Sequence, residues 1–207
     1  MADTSWIIRE LESNFTKRNI GVLWFEAFED VKKYLLEQIP SRATVGIGHS
    51  QTLQGMGITN ALLDRGTTVY DKELGTTPEE VKQLKRSSLL ADFFLSGANA
   101  VSIDGRIVNI DHSGNRVAAL AYGPDRVFIV VGRNKITDTY EDAIKRAKNT
   151  ASPRNAKRAG YLPPCVAKGY CTDCLSLERV CNVISTIQGQ NIKGRMTLLI
   201  VNEDAGY

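Results

Sequence analysis

Short apolar runs alternate with helix-patterned segments between Ala43 and Gly132, and this alternation restricts the fold more than any other feature of the chain. The runs "ATVGIG" (43–48), "TTVYD" (67–71), "DFFLSG" (92–97) and "RVFIVVG" (126–132) read as buried strands, and "RMTLLIVNE" (195–203) supplies a last one. Between the first two, "SQTLQGMGITNALLDRG" (50–66) predicts one helix with Ser50 as N-cap and Gly66 as its stop. "TPEEVKQLKRSSLLA" (77–91) predicts another, with Thr77 as cap, Pro78 at the first helical position and Glu79 and Glu80 in the first turn. "GNRVAALAYG" (114–123) and "TYEDAIKRAKNTA" (139–151) complete the set; the latter aligns Tyr140, Ala143, Ile144 and Ala147 on one face. Strand–helix–strand crossovers make neighbouring strands parallel and cover both faces of the sheet. The expectation is an α/β fold, doubly wound, with a mostly parallel sheet.

One stretch departs from that rhythm. "AVSIDGRIVNI" (100–110) predicts a hairpin, with Asp104-Gly105 supplying the left-handed angles of a two-residue turn. Ahead of the sheet, Ile7, Leu11 and Phe15 mark a helix over 5–18, and Phe28, Val31, Tyr34 and Leu35 a second over 24–38 that Pro40 ends. These two helices are expected to pack outside the sheet. They form an N-terminal helical extension at 1–40, followed by an α/β domain at 41–207. Residues 152–194 read as irregular, with a cysteine-rich segment at 161–182.

Net charge is +3, without a long cationic block, so a nucleic-acid partner is not expected. The run Trp6-Ile7-Ile8 is too short for a signal-peptide core, and no apolar stretch is long enough to span a membrane. The expected compartment is cytoplasmic, where thiols stay reduced and clustered cysteines read as metal or redox ligands. The chain is compatible with a homo-oligomer.

Three sets of residues carry candidate chemistry. The first is "GIGHS": Gly46 and Gly48 let backbone approach a ligand, Ser50 opens a helix whose first amides lack partners, and His49 is one of two histidines. A small anionic ligand or cofactor suits this loop; so does a plain strand-to-helix turn. No Gly-Lys-Ser/Thr follows and no third glycine completes a dinucleotide fingerprint. The second set lies in "SGANAVSIDGRIVNIDHSGNRVAALAYGP" (96–124), where Asn99, Asp104, Asn109, Asp111, His112, Asn115 and Arg116 sit in or beside turns. Turn chemistry is the simpler account of Asp104, whereas Asn99 follows a strand end, where ligand contacts gather. Lys135, in Arg133-Asn134-Lys135 after the most apolar strand, also suits anion binding.

The third set is the cysteines. Cys165, Cys171, Cys174 and Cys181 are all the cysteines of the chain, separated by five, two and six residues. A compact quartet of this kind suits a 4Fe–4S cluster. Zinc, which prefers two distant Cys-x-x-Cys knuckles, is the alternative, and free or oxidised thiols a third. Tyr170, Leu175, Leu177 and Val180 are expected to shield the site.

"VGIGHSQTL", the 96–124 stretch, "VFIVVGRNKI", "CVAKGYCTDC" and the terminal "EDAGY" occur in an order that closely resembles the lactate-utilisation (LUD) domain family, from about Thr44 to Tyr207. The resemblance implies a redox or electron-transfer accessory role in lactate or carboxylate metabolism, beside iron–sulfur redox subunits. It also implies a fold similar to ribose-5-phosphate isomerase, CoA transferases and methylthioribose-1-phosphate isomerase, in which the loop matching "GIGHS" binds phosphate or cofactor. Those enzymes carry an aspartate where this chain has Asn99, and an amide cannot act as a general base; the glutamate nucleophile of the CoA transferases has no counterpart. The alternative is a transferase- or isomerase-like enzyme for a phosphorylated or CoA-linked small molecule, with structural zinc.

Overall fold

A computed structural model describes residues 5–207; residues 1–4 of the N-terminal extension lie outside it. Helix α1 (Ser5–Thr16) precedes strand β1 (Ile20–Phe25), and α2 (Phe28–Gln38) crosses to β2 (Thr44–Ile47). Helices α3 (Gln51–Met56) and α4 (Ile58–Asp64) lead to β3 (Thr68–Asp71), and α5 (Pro78–Ser87) leads to β4 (Phe93–Ser96). The chain then forms β5 (Ala100–Ser102) and β6 (Arg106–Asp111) and returns through α6 (Asn115–Ala121) to β7 (Arg126–Gly132). Strand β8 (Ile136–Thr137), helices α7 (Tyr140–Arg146), α8 (Ser152–Arg158) and α9 (Pro164–Lys168), and strands β9 (Val183–Ile187) and β10 (Met196–Val201) complete it.

The central sheet is parallel throughout, in the order β1-β10-β7-β4-β2-β3, as the crossovers predict. The hairpin belongs to a second, four-stranded sheet in the order β8-β5-β6-β9. Strand alternation sorts the core into two faces. Val127, Ile129, Val131, Leu198 and Ile200 pack with Leu11 and Phe15 of α1, Leu120 of α6 and the inner face of the hairpin. Phe128, Val130, Leu199 and Val201 point the other way, onto Val31 and Leu35 of α2 and Leu53 and Leu62 of α3 and α4. The far face of the small sheet, Ala100, Val108 and Ile110, is covered by Ala143 of α7 and by Ala147. Among the described residues, no helix is long and apolar enough to cross a membrane.

Several local expectations are revised. Residues 20–25, the last two of which are expected to open the second helix, form β1, a sheet-edge strand in register with β10 from Ile20↔Met196 to Phe25↔Val201. The predicted single helix over 50–66 is broken at Gly57, whose φ of 62° ends α3 in a left-handed turn. Ser50 makes no capping hydrogen bond. Gly66 does stop α4, its N–H donating to Leu63 O at 2.8 Å. Thr77 and Glu80 form a reciprocal capping box on α5. The hairpin connection holds three residues rather than two, since Ser102 pairs with Arg106 around Ile103-Asp104-Gly105. The helix expected over 139–151 runs on through a π-helical turn, Ala147–Ala151, into α8. Pro153 lacks an N–H and its ring crowds the preceding turn, and the wider π turn accommodates both.

Candidate functional site

The loops at the carboxyl ends of β2, β3, β4 and β7 open into one cleft of about 540 Å³. This is where an open parallel sheet leaves room for a ligand, because successive crossovers diverge there. His49 and Ser50 reach it from the loop after β2, Lys72 and Glu73 from β3, Asn99 from β4 and Lys135 from β7; Asn115 and Arg116 of α6 join them. Among the described residues, five lysine or arginine side chains line it against two side-chain carboxylates, Glu73 and Asp111, so its field favours an anion.

Arg116 organises the floor. Nη1 donates to Gly97 O at 3.2 Å and Asn109 Oδ1 at 3.1 Å; Nη2 donates to Asn99 Oδ1 at 3.2 Å and Ile110 O at 2.8 Å. Its Nε stands 3.6 Å from Asp111 Oδ2. Those partners, rather than a ligand, occupy the guanidinium, and burial holds it below its ordinary value against the opposing pull of Asp111. Asp111 in turn accepts from Gly114 N and Val117 N at the start of α6, so it is a capping carboxylate. His112 does not pair with it, and its ring lies 5.1 Å from that of Tyr161. Asn99 Oδ1 also accepts from Ile110 N at 2.8 Å, which leaves its amide nitrogen for the cleft. Asn109 is fully buried beneath Arg116, with Nδ2 unpartnered.

Two titratable groups are strongly perturbed. His49 Nδ1 lies 3.2 Å from Glu73 Oε1 and 3.3 Å from Gln54 Nε2, and its Nε2 is buried without a partner. Burial, then the positive charges of Lys72 and Arg158, push its pKa down to about 4, so the ring is neutral at physiological pH. Lys135 is only 3% exposed; its Nζ donates to Thr52 Oγ1 at 3.1 Å. Burial, and then Arg146 and Arg116, push its pKa down to about 7.

The glycines of the loop serve packing. A Cβ on Gly46 would lie 2.7 Å from Ser88 O and 2.9 Å from the Phe94 ring, and one on Gly48 3.0 Å from Arg116 Cγ. Asp104 lies away from the cleft, in the hairpin turn, bonded to Ser102 and Arg106 and accepting from Arg18 through its carbonyl. Sequence reading missed Lys72, Glu73, Lys85, Arg158 and Tyr161, which come from loops and helices distant in sequence. The strand-end rule that singled out Lys135 would also have found Lys72 and Glu73, directly after β3.

The four cysteines line a second cavity of about 30 Å³. All are free thiols. Cys171 N donates to Asn149 Oδ1 at 2.9 Å, and Asp173, in the left-handed region at φ 50°, directs its N–H to Cys171 Sγ at 3.4 Å. Arg179 ties the segment together, donating to Cys174 O at 3.0 Å and Cys181 O at 3.1 Å. A hydrogen bond to the Cys181 side chain and the electrostatic pull of that cysteine hold the guanidinium above its ordinary value. Burial, then the other three cysteines, push the Cys165 thiol up. Among the described residues no three Cys, His, Asp or Glu side chains converge as the ligands of a metal ion, so the thiols share walls without meeting at a point. Val180 alone of the apolar residues expected to shield them is buried; Leu175 and Leu177 are fully exposed and Tyr170 half-exposed. Val180 also lines the large cleft and is common to both cavities.

Residues 8–201 match the sequence model of the LUD domain. The chain belongs to the LUD domain family. The match takes in the cysteine cavity and the cleft except Gly206 and Tyr207, and it begins within α1, so the N-terminal elements are part of this LUD domain's sequence pattern. A crystal structure of a DUF162 family protein from Deinococcus radiodurans is similar over 97% of this chain and 98% of that one, with a TM-score of 0.54 at 16% identity, and shares the fold. eIF2B delta from Chaetomium thermophilum aligns at 12% identity over 69% of this chain and 57% of its own, with a TM-score of 0.38. No curated protein matches the chain.

Proposed function

We propose that this LUD domain is a redox or electron-transfer accessory protein of small-carboxylate metabolism, with an iron–sulfur cluster on Cys165, Cys171, Cys174 and Cys181 and a small anionic ligand in the cleft. The observation that carries the reading is Val180, buried and common to both cavities. A compact quartet of cysteines lining one small cavity suits a cluster, whereas zinc prefers two knuckles distant in sequence. When bound, the cluster supplies one-electron exchange. The chain's own residues do the rest. Arg179 offsets thiolate charge, Val180 excludes water between the sites, and Lys72, Lys85 and Arg158 attract the anion. Ser50 and His49 of the glycine loop and the Asn99 amide offer it polar contacts. The exposed Leu175 and Leu177 beside the cysteines suit contact with iron–sulfur redox subunits in the cytoplasm.

Protein purified without oxygen should contain iron and acid-labile sulfide and absorb in the visible, and Cys171→Ser should abolish both. Colourless, iron-free protein under those conditions overturns the cluster. A second reading, a transferase- or isomerase-like enzyme with structural zinc, draws on His49: an imidazole held neutral in the cleft beside Glu73 can hydrogen-bond a substrate oxygen without adding charge. Zinc in place of iron, with sugar phosphates or CoA esters raising the melting temperature, would favour it.

A further inference from the structure

Among the described cations of the cleft, Lys135 has a role neither in the floor, which Arg116 organises, nor in attracting the anion. It lies at the deep end of the cleft, 3% exposed, while Lys72 and Lys85 are half-buried and Arg158 is exposed. A structural lysine at such depth normally meets a carboxylate. Here the charges that act on the amine are those of Arg146 from α7 and Arg116 from α6, both cations. Its hydrogen bond is to the Thr52 hydroxyl of α3. From the C-terminal segment, Gly206 approaches so closely that a Cβ there would lie 3.1 Å from Nζ. The cleft therefore offers fixed cations toward its mouth and an uncompensated amine at its base.

We infer that Lys135 is a nucleophile that captures the carbonyl carbon of a small oxo acid as an imine, the acid group lying toward Lys72, Lys85 and Arg158. The inference rests on the reading of the cleft as an anion site and narrows its ligand to molecules that carry a carbonyl as well. A plain anion clamp needs an ammonium that stays charged. A desolvated amine flanked by cations instead keeps its lone pair, as imine-forming lysines do. With a pKa near 7 about half of it is unprotonated at neutral pH. In the reaction the Nζ lone pair attacks the carbonyl carbon, the C–N bond forms and the C–O π bond opens onto oxygen, which takes a proton. The carbinolamine then loses its hydroxyl as water and the second N–H proton leaves, giving C=N. One amine and one carbonyl yield one imine and one water, and nothing is oxidised or reduced. Thr52 Oγ1, 3.1 Å from Nζ, is placed to relay the proton between nitrogen and oxygen.

The test incubates the full-length protein with glyoxylate and cyanoborohydride near neutral pH, then maps adducts by peptide mass. The expected result is one lysine adduct, on the peptide carrying Lys135 and apart from any on the chain's α-amine, exceeding modification at other lysines roughly tenfold or more, because an ordinary lysine amine is almost wholly protonated near neutral pH. Its formation should level off once the pH passes about 7. Lys135→Arg, which keeps a cation, should lose the adduct; mapping in the unaltered protein gives the answer independently of how that variant folds. Adducts spread evenly over the lysines, or none at Lys135, overturn the inference. Glycolate, which has no carbonyl, separates the two ideas: if it raises the melting temperature while glyoxylate gives no Lys135 adduct, the anion site stands and the imine falls. A Lys135 adduct in protein that is free of iron after purification without oxygen supports the imine and removes the cluster.

Discussion

Replacing Lys135 with methionine should make the protein more stable, in a pH-dependent way. The fold lowers this amine from 10.5 to about 7. For a base this means the folded state disfavours the charged form, so the penalty is fully present below pH 7 and fades as the pH rises toward the unfolded value. At about 1.4 kcal/mol per pH unit the penalty is about 5 kcal/mol in mildly acidic solution and about 2 kcal/mol near pH 9. Methionine fills a similar volume without charge but loses the hydrogen bond to Thr52, worth about 1 kcal/mol. The net gain should be about 3–4 kcal/mol near pH 6, about 1 kcal/mol near pH 9 and nil near pH 10. Urea unfolding of both proteins across that range measures it. A gain that does not change with pH, or a loss of stability near pH 6, would refute the argument that the amine is buried and uncompensated. A gain at the expense of the cleft's chemistry is the usual exchange at a functional site.

Other expectations follow from single contacts. Gly46→Ala should cost about 1–3 kcal/mol or more in chemical unfolding, because the added Cβ meets the Ser88 backbone oxygen at 2.7 Å; an unchanged midpoint would show that this wall yields. Thr77→Ala removes half of the capping box on α5 and should lower stability by about 1 kcal/mol, with Thr77→Ser restoring most of it. His49 ring resonances should show no titration from pH 8 down to about 5 by NMR, since its pKa is held at about 4; a midpoint near 6.5 would contradict its burial beside Lys72. For the same reason His49 should lower stability as the pH falls from 6.5 toward 4, the window in which the unfolded chain takes up a proton and the folded one does not.

Period-two runs such as "RVFIVVG" and "TLLIV" determined the α/β class by themselves, since each divides between two buried faces and needs a layer on both sides. Local chemistry was equally legible. Thr77-Pro78-x-Glu80 specified a helix start and Gly66 a helix stop, each through atoms a few residues apart. Strand ends also pointed to His49, Asn99 and Lys135, because a parallel sheet brings its carboxyl ends together. Sequence could not show what these residues meet. Arg116 reads as a ligand contact in the chain, but four oxygens from the 97–110 region occupy its donors. Lys135 reads as an anion-binding cation at a strand end, and only the packing of α3, α6, α7 and the C-terminal segment around it removes water and charge compensation together. The cysteine spacing announced four thiols near one another. That they share the wall of Val180 with the cleft follows from β9 joining the edge of the small sheet, a pairing between residues more than seventy apart. Such contacts depend on three-dimensional packing between distant segments, for which local patterns of hydrophobicity and capping carry no information.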